Sequence, residues 1–322
     1  MREPGMSAEQ VQQFTEEGWV MVPDVFEDAD IQPVRDEITE VIDAGARQLV
    51  AEGKLEHTFA DEPFETRLTR IHEHCDEIMR PIVGKGGGGH SGPAFFRFIT
   101  HPSILAHVQS LVGEEIIGSS VYRIRPKMPN YERGAVPWHQ DSGYFSPHCD
   151  GDLIVTCWIP LVDTDADNGC LQVLSQGHRS GVVPHFTGGQ GGFLEIVDDD
   201  LPNRLHPLTV PVPAGGVLFM TNLTPHRSTY HTKDIVRWAT DVRYQASTVP
   251  NNVGELPGDY DAERPTHEIA CYPPEADFVV QSPTHPERVV GAWEEFNKLR
   301  QRFEGDGRPP GPKRGWEPIA AS

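Results

Sequence analysis

Apolar residues recur at helical spacing through the first third of the chain. Between residues 28 and 53 they return every three or four positions, which predicts one long amphipathic helix. The other elements predicted for this part are shorter and lie at 7–17, 19–22 (a strand), 62–82 and 102–112. Ser7 followed by Gln10 predicts a capping box at the start of the first helix. Residues 1–115 are therefore expected to form a mainly helical N-terminal part.

From Ile116 onward the pattern changes to short apolar or alternating runs, separated by Gly, Pro, Asp and Asn. These runs lie at 116–125, 136–146, 152–160, 170–174, 207–212, 216–221, 225–230 and 235–246. Runs of this length and spacing predict an antiparallel sandwich or barrel rather than a parallel sheet. The β-core is therefore expected to span 116–246.

Two segments depart from the β pattern. A Gly-rich, acidic insert at 176–206 interrupts the core, and loops of that length are usually lids or disordered segments. Residues 247–322 are Pro-rich and irregular apart from a terminal helix predicted at 286–303. With no internal repeat, we expect a single domain over 1–322 instead of two.

Charge and cysteine content exclude several classes of protein. The 322 residues include 27 Lys and Arg against 48 Asp and Glu, a net charge of −21, which argues against nucleic-acid binding. Five cysteines without a CxxC pair make a disulfide framework or a zinc ribbon improbable and favour a reducing cytosol. No apolar run resembles a membrane span or a signal peptide, so a soluble, cytoplasmic protein is expected.

Candidate chemistry centres on VPWHQDSGYFS at 136–146. If this segment is extended, His139 and Asp141 lie on one face and Gln140 points the other way. A histidine and a carboxylate side by side make two-thirds of a facial triad, in which two His and one carboxylate bind ferrous iron and leave the opposite face open. His-x-Asp alone is a weak signal, because an exposed polar strand end has the same pattern.

A third ligand and an anion site are predicted within PAGGVLFMTNLTPHRSTY at 213–230 and shortly after it. A turn and a buried strand lead to His226, although an ordinary histidine fits equally well among the 15 in the chain. Ser228 shares the face of His226, and Arg237 follows in a strand-like run. A guanidinium fork with a hydroxyl suits the distal carboxylate of a dicarboxylic co-substrate.

The order of these motifs resembles the phytanoyl-CoA dioxygenase family of iron(II)/2-oxoglutarate oxygenases. The similarity includes His139-x-Asp141, then DLIVTCWIPLVDTDADNGCLQVLSQGHRSG, then His226-x-Ser228 and Arg237. The resemblance implies a mainly β fold with flanking helices, built on a double-stranded β-helix (jelly-roll, cupin-like) core within one catalytic domain. In one departure from the family pattern, Gln176 stands where a glycine is usual.

The resemblance also implies a role for individual residues. The implied iron ligands are His139, Asp141 and His226. The residues implied to bind 2-oxoglutarate are Arg237, Ser228 and Trp158, with Arg70 and Arg123 added by a looser alignment. The candidate substrate-facing residues are Gln140, Tyr144, Phe145 and Lys127.

The function implied is hydroxylation of an aliphatic C–H bond of a small-molecule metabolite, as in secondary metabolism. Iron(II), 2-oxoglutarate and O2 would be required, and succinate and CO2 released. The retained carboxylate of Asp141 favours hydroxylation over halogenation and leaves desaturation, epoxidation and ring closure open as alternatives. The net charge of −21 favours a smaller or less charged metabolite over an acyl-CoA. A monomer or homodimer without nucleic-acid or membrane partners is expected.

Two alternatives stay open at this point. A cupin-like metal-binding protein or isomerase that does not use 2-oxoglutarate would share the ligands but would not need Arg237 and Ser228. A catalytically silent family member acting as a binding module would bind iron without forming succinate.

Overall fold

Ten β-strands form two antiparallel sheets in the computed structural model, which describes residues 5–84, 89–119, 122–130, 135–202, 206–255, 270–271, 276–303 and 314–319. The strands are β1 Trp19–Val22, β2 Ile116–Ser119, β3 Arg123–Lys127, β4 Ile154–Pro160, β5 Leu171–Val173, β6 Leu208–Val210, β7 Val217–Thr221, β8 His226–Ser228, β9 Arg237–Ala246 and β10 Asp277–Gln281. The larger sheet has the order β1-β7-β4-β9-β2-β10, with β3 also paired to β9, and the smaller has the order β6-β5-β8.

Side chains from both sheets meet in an inner cluster. It contains Trp158, Leu171, Val173, Val210, Val212, Leu218, Met220 and Ala239. The outer face of the larger sheet is covered by helices, so every residue of β4 is buried. Burial on both faces explains why β4, apart from Thr156, is apolar without alternation. The inner face also lines a cavity, where Trp158 and Leu171 of the cluster lie beside polar residues.

Seven α-helices lie within the described residues. They are α1 Ala8–Glu17, α2 Asp28–Ala51, α3 Phe64–His72, α4 Arg80–Val83, α5 Pro93–Ile99, α6 Pro102–Val112 and α7 Trp293–Phe303. The capping box predicted for α1 is confirmed, because Ser7 and Gln10 exchange backbone-to-side-chain hydrogen bonds of 3.2 and 2.8 Å. None of these helices is long and apolar enough to cross a bilayer.

Several sequence predictions were wrong in detail. The run at 136–146 is not a strand: it is extended to Gln140 and then forms a 3-10 turn at Asp141–Gly143. The predicted strand at 116–125 is divided between β2 and β3. The helix α5 was missed, because five of its seven residues are buried and the apolar stripe is lost. The terminal helix begins at Trp293, and β10 lies in the segment predicted to be irregular.

A disulfide joins Cys149 to Cys271, which corrects the expectation drawn from the odd cysteine count. The two residues are 122 positions apart, and their Cα atoms are 5.6 Å apart. The bond ties the segment before β10 to the loop that follows His139-x-Asp141. Cys75, Cys157 and Cys170 are free thiols.

Removing this bond should destabilise the protein. Closure of so long a loop restricts the unfolded chain, so Cys271→Ser should lower the free energy of unfolding by about 2–4 kcal/mol. Urea unfolding without reductant measures this change, with Cys75→Ser as the matched control. Equal stability of the Cys271→Ser variant and the wild type would show that the bond contributes nothing to the fold.

Candidate functional site

Two histidines are placed side by side by a short backbone pairing. His139 and His226 exchange both of their backbone hydrogen bonds, at 3.0 and 2.9 Å, and form an antiparallel bridge. Their ring centroids lie 4.2 Å apart. The extended backbone of Gln140 then returns Asp141 to the same face. The first metal motif and the distant histidine therefore meet through main-chain pairing at the entrance to β8.

The three side chains converge on one point. One ligand atom from each of His139, Asp141 and His226 lies within 4.8 Å of the others, and all three residues are buried. Each histidine uses Nδ1 for a backbone carbonyl two residues earlier, Pro137 at 2.9 Å and Thr224 at 3.0 Å. These contacts fix the rings and leave both Nε2 atoms facing the carboxylate, as metal-binding histidines are usually held.

The protonation states also suit a divalent cation. Burial, together with the adjacent ring of His226, lowers the pKa of His139 to about 3, so the imidazole is neutral and can donate its lone pair. Burial alone would raise the pKa of Asp141, but its charged and hydrogen-bonding neighbours, Arg243 foremost, together hold the pKa well below its ordinary value. Two imidazoles and one carboxylate are the donor set of non-haem iron(II) sites with open positions.

A buried cationic pocket lies beside the three ligands. Arg237 is 3% exposed, and its Nε and Nη1 atoms have no hydrogen-bond partner among the described residues. Its guanidinium lies over the ring of Trp158, 5.2 Å from the centroid. Buried guanidinium groups normally have an anion, so the unpartnered atoms mark a position for one.

Lys127 adds a second cation to this pocket. Lys127 lies directly opposite Arg237 in the register of β3 and β9, and its Nζ donates to Ser228 Oγ at 2.8 Å. Burial and the charge of Arg237 lower the pKa of Lys127 to about 7. No carboxylate of the described residues forms an ion pair with either cation. Two buried cationic side chains, with the Ser228 hydroxyl bonded to one of them, form a receptor for a carboxylate.

A cavity of about 670 Å³ connects the cationic pocket to the three ligands. Its wall includes Arg123, Tyr144, Phe145 and Trp158 from the sequence predictions. The insert contributes Gly191, Gly192 and Phe193, and its Leu194 N–H donates to the Tyr144 hydroxyl at 2.9 Å. The cavity exceeds what one small dicarboxylate fills, so room for a second molecule remains.

Two predicted site residues lie elsewhere. Arg70, on α3, forms a surface ion pair with Asp234 at 2.6 Å and does not line the cavity, so its assignment to the co-substrate was wrong. Gln140 is fully buried, and its amide bonds to the backbone of Gly181, Val183 and Leu223. Gln140 therefore stabilises residues 136–146, the segment that carries His139 and Asp141 and is called the ligand loop below. It does not face a substrate.

Sequence reasoning missed two polar residues of the cavity, Asp241 and Arg243. Arg125, Asp241 and Arg243 line it together, and Arg243 contacts Asp141 directly. Side chains alternate along a strand, so residues 241 and 243 lie on the same face of β9 as Arg237. This alternation could have identified them as site residues. Lys127 was predicted to face the substrate, whereas it lies in the cationic pocket beside Arg237.

The chain matches one family model over most of its length. The model described as Phytanoyl-CoA dioxygenase (PhyH) matches residues 14–239. Peroxisomal phytanoyl-CoA dioxygenase of Homo sapiens is 25% identical over 231 residues, which cover 69% of this chain and 63% of that protein. The Bos taurus enzyme is 26% identical over 233 residues, covering 69% and 64%. The chain thus spans slightly less than two-thirds of these relatives.

Solved structures share the fold. SnoK, a non-heme alpha ketoglutarate dependent carbocyclase from nogalamycin biosynthesis, has a TM-score of 0.51 at 22% identity and covers 75% of this chain and 85% of its own. The non-heme monooxygenase ThoJ has a TM-score of 0.55 at 17% identity and covers 91% and 95%. The jelly-roll core expected from the sequence is confirmed.

Proposed function

Because the chain belongs to the phytanoyl-CoA dioxygenase family, we propose that it is an iron(II)/2-oxoglutarate-dependent dioxygenase that hydroxylates an aliphatic C–H bond of a small molecule. His139, Asp141 and His226 would hold the iron through two imidazoles and one carboxylate. Arg237, with Ser228, would bind the distal carboxylate of 2-oxoglutarate. O2 is the second co-substrate of this reaction.

The observation that carries the proposal is the unpartnered, buried guanidinium of Arg237 beside the three ligands. A metal-binding protein or isomerase without 2-oxoglutarate has no use for two buried cations next to the metal. Such cations are costly to bury without an anion, so their presence favours a dicarboxylate co-substrate. We extend the carboxylate site to Lys127, whose Nζ reaches the Ser228 hydroxyl at 2.8 Å.

When bound, iron(II) and 2-oxoglutarate would react with O2 in an oxidative decarboxylation that gives succinate and CO2 and supplies the oxidant for C–H hydroxylation. The protein positions the reacting groups and excludes water from them. The Trp158 ring packs against the Arg237 guanidinium and shields the carboxylate site from water. The carbonyls of Pro137 and Thr224 hold the two imidazole rings in place. The substrate would occupy the part of the cavity walled by the insert.

Succinate formation tests this proposal. The full chain, supplied with Fe(II), 2-oxoglutarate and ascorbate in air, should release succinate slowly even without substrate, and faster with the correct small molecule. Omission of iron or of O2 should abolish the release. Iron binding without any succinate from a panel of metabolites would instead favour a catalytically silent binding protein.

The affinity for 2-oxoglutarate should fall as the pH rises. Lys127 has a pKa of about 7 in the free pocket and loses its proton above that pH, whereas a carboxylate binds the protonated form. The dissociation constant should be nearly constant below pH 7 and then increase by up to about tenfold per pH unit. Calorimetric titration between pH 6 and 8.5 measures this. In Lys127→Met the binding should be weaker at pH 6 and the slope absent; an unchanged slope would exclude Lys127.

A further inference from the structure

The carboxylate of Asp141 is held on one oxygen by two side chains to which the proposed reaction assigns no role. Oδ2 accepts hydrogen bonds from Arg243 Nε at 3.0 Å and from the Thr156 hydroxyl. Oδ1 lies on the other side, 3.9 Å from Nε2 of His139. One oxygen of the carboxylate therefore faces the protein, and the other faces the histidines.

The two donors are fixed by the sheet and not by a loop. Thr156 on β4 and Arg243 on β9 lie directly opposite each other in the antiparallel register. Side chains opposed in this way project together from the same face. Thr156 is 2% exposed, so its hydroxyl has no access to bulk water and depends on this contact. Both donors therefore reach one carboxylate oxygen from the most rigid part of the fold.

Arg243 is itself held from its far side. Its Nη2 lies 4.0 Å from Asp241 Oδ2, and the same oxygen accepts a hydrogen bond from Arg125 Nη2 at 3.0 Å. The cavity wall thus carries alternating charges in the order Arg125, Asp241, Arg243, Asp141. A guanidinium restrained at both ends loses little further freedom when it orients a carboxylate.

We infer that Arg243 and Thr156 are positioning residues that keep Asp141 a ligand through a single oxygen, an inference that rests on the proposed metal site. A carboxylate whose second oxygen is engaged by two donors does not chelate a metal through both oxygens. A coordination position is thereby kept for co-substrate or O2. Partners of metal ligands commonly control metal affinity by about 10–100-fold.

Charge and orientation predict opposite effects for loss of Arg243. The positive charge repels a divalent cation, so its removal by itself would tighten metal binding. The hydrogen bond orients Asp141, so its removal would weaken binding. If Arg243 is a positioning residue, the effect on orientation dominates and metal binding weakens, so the sign of the change in affinity is decisive.

Cobalt(II), a stand-in for iron(II) that is stable in air, provides the test. The metal-free full chain is titrated with Co(II), and both the dissociation constant and the visible d–d spectrum are recorded. Arg243→Ala should weaken binding by about 10–100-fold, because Asp141 is no longer held in its ligating orientation. The spectrum should also change, because the freed carboxylate can approach the metal in a different geometry. Thr156→Val should change both in the same direction. Arg243→Lys and Thr156→Ser should recover part of the affinity.

Thr240→Val is the matched control, because Thr240 is buried on β9 but on the opposite face from Arg243. It should leave affinity and spectrum unchanged. If Arg243→Ala does not fold by circular dichroism, Thr156→Val decides the question. Wild-type or tighter Co(II) binding with the wild-type spectrum in the folded variants would overturn the positioning role alone. Absence of Co(II) binding in the wild type would overturn the metal site and the proposed function with it.

Discussion

Replacing Arg237 with alanine should weaken 2-oxoglutarate binding by roughly 100-fold while leaving metal binding intact. The guanidinium is buried and would form paired hydrogen bonds to the distal carboxylate. Truncating one partner of a buried charged pair costs about 2–5 kcal/mol, and about 3 kcal/mol corresponds to this loss of affinity. Titration of the metal-loaded protein with 2-oxoglutarate measures it, and KM for 2-oxoglutarate should rise in parallel.

Arg227→Ala is the matched control for Arg237→Ala. Arg227 lines the same cavity, but its guanidinium packs over the ring of Trp138, 4.7 Å from the centroid, and bonds to Gln172. Its loss should leave the affinity for 2-oxoglutarate unchanged. If Arg237→Ala combined with Lys127→Met bound 2-oxoglutarate as the wild type does, the carboxylate would lie elsewhere and the cupin-like alternative would gain support.

Replacing His226 with alanine should have the largest effect on turnover. The site would keep one imidazole and one carboxylate, and two ligands of this kind do not hold a divalent cation in a defined geometry. Metal affinity should fall by more than the roughly 100-fold that the loss of a ligand's partner can cost. Succinate formation should drop to the level seen without added iron. Co(II) titration and succinate release give the two readouts.

His185→Gln provides the comparison for His226→Ala. His185 is also buried beside the ligand loop, but its Nε2 accepts the Gln140 N–H at 2.9 Å and its Nδ1 bonds to Val183. A glutamine can still accept the hydrogen bond, so metal binding should persist. If both variants lost the metal equally, the cause would be disruption of the ligand loop and not the loss of a metal ligand.

The residues of the metal site could be predicted from the sequence because their geometry is local. His139 and Asp141 share a face across one extended residue, and Ser228 follows His226 by two positions in a strand. Strand periodicity alone fixes both relations. The resemblance to a family then supplied the pairing of the two segments, which the pattern of the chain by itself left open.

Contacts between segments far apart in the chain could not be predicted from the sequence. The position of Lys127 against Arg237 depends on the register of β3 on β9. These strands are far apart in the chain, so no hairpin turn fixes their register. Cys149 and Cys271 are brought together by the route of the chain and not by their spacing. The assignment of Arg70 to the co-substrate has the same weakness. A loose alignment cannot show that the Arg70 side chain, on α3, pairs with Asp234 at the surface.

The insert shows a third kind of limit. Its composition predicted a lid or a disordered segment, whereas short hydrogen bonds attach it to the ligand loop: Ile196 N–H donates to Trp138 O at 2.7 Å, and Leu194 N–H to Tyr144. Composition reports that a segment lacks a core of its own. It does not report the surface on which the segment packs, and this surface decides how far the insert walls the cavity.

Anaerobic titration of the metal-free full chain with Fe(II) and then 2-oxoglutarate tests the central claim most directly. Chelation of iron by the keto acid gives a weak visible charge-transfer band. This band should need both additions, saturate at one 2-oxoglutarate per chain, and be absent from His139→Ala. A folded wild-type protein that binds Fe(II) and shows no band at saturating 2-oxoglutarate would contradict the claim.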